Sequence, residues 1–115
     1  MKVYLAGPMT GYPHFNYPAF HAAAEQLRQE GHFVFSPAER DMERDGKDWG
    51  AEVKNGSATE AKDKGFDLRT ALHDDLAFIC READAIALLP GWEKSTGAQA
   101  EWAAARALSL TFIYL

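Results

Sequence analysis

The chain has 115 residues, 47% of them apolar, and a formal net charge of -5. That length fits one domain around a single core, and an acidic balance without any Lys/Arg-rich run argues against a nucleic acid polymer as partner. Its single cysteine, Cys80, cannot form an internal disulfide, and no apolar run approaches the ~20 residues of a membrane span.

The N-terminus lacks the charged, apolar and small-residue parts of a signal peptide, so a cytoplasmic protein is the expectation. Lys2 to Ala6 (KVYLA) reads as a short apolar strand that runs into a turn, Gly7 to Phe15, rich in glycine and proline. Asn16 stands as an N-cap with Pro18 in the first turn of a helix. Phe20, Ala23, Ala24 and Leu27 fall at helical spacing, and Gly31 ends the helix. HFVFSP is a second strand, closed by Pro37.

The segment from Ala38 to Asp67 is crowded with charges and reads as a long, variable surface stretch with at most a short helix. Trp49 is the large apolar group in it that needs a place to bury. Leu68 to Ala83 returns to helical periodicity, with Leu68, Leu72, Leu76 and Ile79 as the expected buried stripe. Cys80 in that helix reads as a small buried apolar group. DAIALLP is a buried strand, GWEKSTG a loop, AQAEWAAARALSL a helix and TFIYL a last strand. This alternation predicts an α/β fold: an open, mainly parallel sheet of about four or five strands with helices on both faces, Rossmann- or flavodoxin-like.

In such sheets ligands collect beyond the carboxyl ends of the strands, where the strand order reverses. Two glycine-rich loops leave such ends, AGPMTGYP and PGWEKSTGA. Gly7 and Gly11 in the first, and Gly91 and Gly97 in the second, either bring backbone close to a ligand or satisfy turn geometry. Neither loop reproduces Gly-x-Gly-x-x-Gly or a phosphate loop.

Ser95 and Thr96 precede the last helix, where a hydroxyl can cap the helix and free N–H groups can hold an anion. Glu101 is the only carboxylate of that helix. With Asp74 or Asp75 it makes a candidate pair, and two carboxyls in unequal surroundings can divide the work of nucleophile and acid. His14, His21, His32 and His73 are scattered without zinc-ligand spacing, so no metal is expected.

Three stretches, YLAGPMTG, HDDLAFICREADAIALL and GWEKSTGAQAEWAAARAL, together resemble the nucleoside 2-deoxyribosyltransferase-like superfamily. Within it the chain most resembles the short bacterial and phage proteins of the DUF4406 family. The resemblance covers both ends of the chain but not Ala38 to Asp67. It implies cleavage of an N-glycosidic bond in a nucleoside or nucleotide, with no cofactor, in a homo-oligomer. Glu101, in GAQAE, matches the nucleophile. Asp75 matches the aspartate that handles the leaving base, with Asp74 a rival because the segment before Asp84 looks one residue longer than in that superfamily. Tyr4 matches a tyrosine that positions the glutamate.

The same resemblance implies that Gly7, Pro8, Met9 and Gly11 wrap the sugar, facing a wall of Gly91, Trp92, Ser95 and Gly97. Ser95 matches a serine that binds a 5′-phosphate in the monophosphate hydrolases, where base-swapping transferases tend to carry aspartate. The end of the chain at TFIYL also points away from the transferases, which continue further. Hydrolysis of a 5′-monophosphate is therefore the leading expectation, with base transfer or a non-catalytic nucleotide-binding module as alternatives.

Overall fold

The computed structural model describes residues 1–115. Four strands, β1 (Lys2–Ala6), β2 (Phe33–Phe35), β3 (Ala85–Leu88) and β4 (Thr111–Tyr114), form one all-parallel sheet in the order β2-β1-β3-β4. Six helices connect them: α1 (Tyr17–Gln29), α2 (Pro37–Asp45), α3 (Trp49–Glu52), α4 (Ala58–Asp63), α5 (Leu68–Arg81) and α6 (Thr96–Ala107). The expected doubly covered α/β sheet is what the chain forms. The order reverses between β1 and β3, so their carboxyl ends frame the crevice of a flavodoxin-like sheet.

β1 is buried on both faces, which is why it reads as an unbroken apolar run. Alternation then sorts its side chains. Val3 and Leu5 join α1 and the helices after β2, while Tyr4 and Ala6 join α5 and α6. Tyr4 lies between Phe35 of β2 and Ile86 of β3 in register.

The largest departure from expectation lies between residues 38 and 67. That stretch folds into three helices packed on the core rather than into a surface loop. Pro37 at the first helical position and Gly46 at φ +65 beyond the last bracket α2 as start and stop. Trp49 is buried, sets its ring edge against Phe66 at 5.4 Å between centroids, and donates from Nε1 to Asp45 at 2.9 Å.

The stripe of α5 is also rotated from the expected one. Leu68 is 69% exposed, and the buried positions are Ala71, Asp75, Phe78 and Ile79. Only Ile79 is shared with the expected stripe, so periodicity alone selected the wrong edge of the helix. Cys80 falls on the outer side and is exposed, not buried. Trp102 is half-buried, stacked on Trp92 at 5.6 Å. No helix is long and apolar enough to cross a membrane.

Candidate active site

Tyr4 sits in the middle of β1 with no exposed surface, and its hydroxyl donates to Oε2 of Glu101 at 2.7 Å. Glu101 lies on the second turn of α6 and Asp75 on the inner face of α5; they are 6% and 7% exposed. Strand and helices thus deliver three polar groups into an otherwise apolar layer. Phe35 and Phe78 stack at 4.6 Å beside Tyr4 and complete one wall.

Burying two carboxyls together is costly unless they share a proton. Burial first, and then the charge of Asp75, push Glu101 well above the usual carboxylate range. Burial, followed by the charge of Asp41, pushes Asp75 up to about 7. Burial and the charge of Glu101 raise Tyr4 as well, so its hydroxyl stays a donor. Burial and mutual proximity thus shift both carboxyls toward their protonated forms. One oxygen of Asp75, Oδ1, is buried without a hydrogen-bond partner in the chain.

Asp74 is placed differently. Its Oδ2 accepts from Arg40 Nε at 3.2 Å and from Arg44 Nη1 at 3.1 Å. Burial pushes Asp74 up, but the two guanidinium groups and His73 outweigh it and hold the carboxyl below its ordinary range. Of the two adjacent aspartates, the chain brings Asp75 to Glu101 and ties Asp74 to α2.

The first loop is anchored rather than free. Gly11 N donates to Gly56 O at 2.8 Å and His14 N to Lys54 O at 2.8 Å. Gly11 is left-handed at φ +84, and Met9 O receives the Tyr12 N–H at 3.1 Å. Pro8 is buried, and its carbonyl accepts from Asn16 Nδ2 at 3.0 Å. Asn16 does begin α1, but in a left-handed conformation and without capping it through its side chain. Gly7 has a packing reason: a Cβ there would lie 2.8 Å from Leu89 Cβ, across the gap between the ends of β1 and β3.

The two loops meet at Tyr12, whose hydroxyl would lie 2.7 Å from a Cβ on Gly91. Gly97 is different, since nothing lies within 4 Å of its Cβ direction. Ser95 caps α6, its Oγ accepting from Ala98 N at 3.2 Å. Trp92 turns its ring onto Trp102, away from a role as an open stacking platform.

Two surface clefts lie elsewhere, one of about 460 Å³ beside β2 and one of about 330 Å³ between α1 and α3, and neither is lined by Tyr4, Asp75 or Glu101. The first is flanked by the ion pair of Arg28 with Glu39, already matched in charge. The chemistry is concentrated at the carboxyl pair instead. No group of three or more His, Cys, Asp or Glu side chains is placed to hold a metal ion.

Sequence reasoning missed two residues near the pair, Asp41 and Arg44 of α2. Asp41 is 4% exposed, and Arg44 Nη2 donates to its Oδ1 at 3.0 Å. Their signal was present in SPAERDMERD, a serine and proline opening a run with charges four residues apart.

A doubly wound sheet with a buried carboxyl pair under its switch point defines an α/β protein with a potential acid–base centre. The chain belongs to a family described as a domain of unknown function, DUF4406, whose model matches residues 1–114. No curated protein and no solved structure matches it significantly.

Proposed function

We propose that the protein cleaves the N-glycosidic bond of a nucleoside 5′-monophosphate through a covalent glycosyl–Glu101 intermediate. The observation that carries this reading is the hydrogen bond from Tyr4 to Glu101, with Asp75 buried beside them. The sequence likeness to the nucleoside 2-deoxyribosyltransferase-like superfamily supports the same roles.

In the reactive form the proton sits on Asp75 and the charge on Glu101. Tyr4 holds Oε2 of that anion in place. Glu101 attacks C1′ as the C1′–N bond breaks, and the Asp75 proton passes to the departing base nitrogen. Water then attacks C1′ as the C1′–Oε bond to Glu101 breaks, giving its proton to Asp75 and freeing the sugar phosphate from the regenerated Glu101 carboxylate. Positive charge developing at C1′ favours the anion on Glu101, the carboxyl that must face it.

A second reading, nucleotide binding without turnover, is favoured by one observation. Glu101 is pushed upward by burial, and a protonated glutamate cannot attack. Base release from a panel of ribo- and deoxynucleoside 5′-monophosphates, followed chromatographically for wild type and Glu101→Gln, separates the two. Release that depends on Glu101 supports the enzyme; binding without release by either protein supports the sensor.

A further inference from the structure

We propose that α2 is the element that assigns different tasks to the adjacent aspartates of α5: Arg44 takes Asp74 as an ion-pair partner and so leaves Asp75 to face Tyr4 and Glu101, while the same guanidinium holds the buried Asp41. The proposal takes from the proposed function only the assignment of Asp75 as the acid.

Four of the five N–H groups of Arg44 are engaged by carboxylates. Arg44 has 14% of its side chain exposed. Its Nε and Nη2 donate to Asp45 at 3.0 Å each, its Nη2 to Asp41 Oδ1 at 3.0 Å, and its Nη1 to Asp74 Oδ2 at 3.1 Å. Five N–H groups in a rigid plane fix the directions of the three carboxylates they meet, which a lysine cannot do. One of those carboxylates is on α5, so Arg44 sets the rotation of that helix. Successive residues on a helix point about 100° apart. With Asp74 held toward α2, Asp75 is turned inward to Tyr4 and Glu101.

Asp41 supplies the second half of the device. Asp41 is 4% exposed and accepts from Arg44 Nη2 at 3.0 Å; burial, opposed by Arg44, pushes it up to about 6. The groups acting on Asp75 come from three elements: Tyr4 on β1, Glu101 on α6, and Asp41 and Arg44 on α2. Tyr4 and Glu101 favour the Asp75 anion and so does Arg44, whereas Asp41 opposes it. Burial holds the proton on Asp75 first, and the charge of Asp41 adds to it. Both α2 residues act through α5, as positioning residues rather than catalytic ones.

The test is a carboxyl ¹³C NMR titration of protein labelled at aspartate Cγ, with signals assigned from Asp74→Asn and Asp75→Asn. Asp41→Asn preserves an acceptor for Arg44 and removes only the charge. It is expected to lower the Asp75 midpoint by roughly half a pH unit or more. Arg44→Gln is expected to raise the Asp74 midpoint, and Arg44→Lys, which retains charge but not the fork, to raise it by less. An Asp75 midpoint unmoved by Asp41→Asn, or an Asp74 midpoint still low in both Arg44 variants, overturns the proposal. Should Arg44→Gln not fold, Asp41→Asn and Arg44→Lys decide it. The titration needs no substrate, so the expected shifts with no base release would leave this proposal standing and defeat only the glycosidase reading.

Discussion

Tyr4 and Glu101 lie 97 positions apart in the chain and are joined by one 2.7 Å hydrogen bond in the interior. The bond links the central strand to the last helix, and it places a donor on one oxygen of a carboxyl that also meets Asp75. Tyr4→Phe removes that donor while keeping the ring that packs on Phe35 and Phe78. A hydrogen bond to a charged group contributes about 1.5–3 kcal/mol, so base release should fall roughly 10- to 150-fold. Steady-state kinetics on the two proteins measure this. Unchanged kcat/KM would show that Tyr4 only fills space.

The carboxyl pair should also be visible in stability. Asp75 has a folded-state pKa raised to about 7, above its unfolded value near 3.9. The folded protein therefore binds a proton that the unfolded chain has lost. Its stabilising contribution is complete below about pH 4 and is lost as pH rises through about 7. Asp75→Asn removes the charged form, so it should be stabilising relative to wild type at pH 8, on the order of a few kcal/mol, and much less so at pH 5. Thermal melts at the two pH values give the comparison. An equal difference at both would mean that Asp75 titrates as an ordinary surface carboxyl.

The first loop owes its position to a glycine outside it. A Cβ on Gly56 would sit 2.2 Å from Tyr12 O, and the residue is at φ +71. Gly31, at φ +94, has nothing within 4 Å. Alanine at either site meets backbone strain of about 1 kcal/mol, but only at Gly56 does it also displace a neighbouring chain. Gly56→Ala should lower Tm clearly more than Gly31→Ala and should also speed amide exchange at Gly11 and His14, whose N–H groups donate to Gly56 and Lys54. Equal effects of the two changes would detach the loop from the segment after α3.

These contacts show where the sequence was legible. The alternation of strands such as KVYLA and DAIALL with helical stretches announced a parallel sheet, and Glu101 stood out as the one carboxylate of an alanine-rich helix. The 38–67 helices did not stand out. They are short, highly charged and stabilised by tertiary contacts, such as Trp49 with Asp45 and Phe66, that have no periodic trace. Sequence favoured Asp75 over Asp74, but the physical reason for the choice lay outside it. It turns on Arg40 and Arg44 reaching across from α2, contacts 34 and 30 positions apart.

Ser95 offers a test of the substrate's 5′ end. It caps α6 through its Oγ, and aspartate is as good a cap as serine. Ser95→Asp should therefore leave Tm unchanged while placing a negative charge at the helix start. Charge-assisted hydrogen bonds of about 1.5–3 kcal/mol each imply a wild-type preference of well over tenfold for a 5′-monophosphate over its nucleoside. The variant should lose that preference selectively. Equal specificity constants for both substrates in wild type would remove the monophosphate assignment.

The central claim is that Glu101 forms a bond to C1′, and trapping that bond tests it most directly. A 2′-fluorinated deoxynucleoside 5′-monophosphate slows both steps by destabilising positive charge at C1′, and it slows hydrolysis of the intermediate enough for intact-mass analysis. The wild-type protein should gain the mass of one fluorinated sugar phosphate, on the peptide that contains Glu101, with free base released in equal amount. Glu101→Gln should gain none. Base release at wild-type rate by Glu101→Gln, or an adduct on a peptide lacking residue 101, would contradict the account.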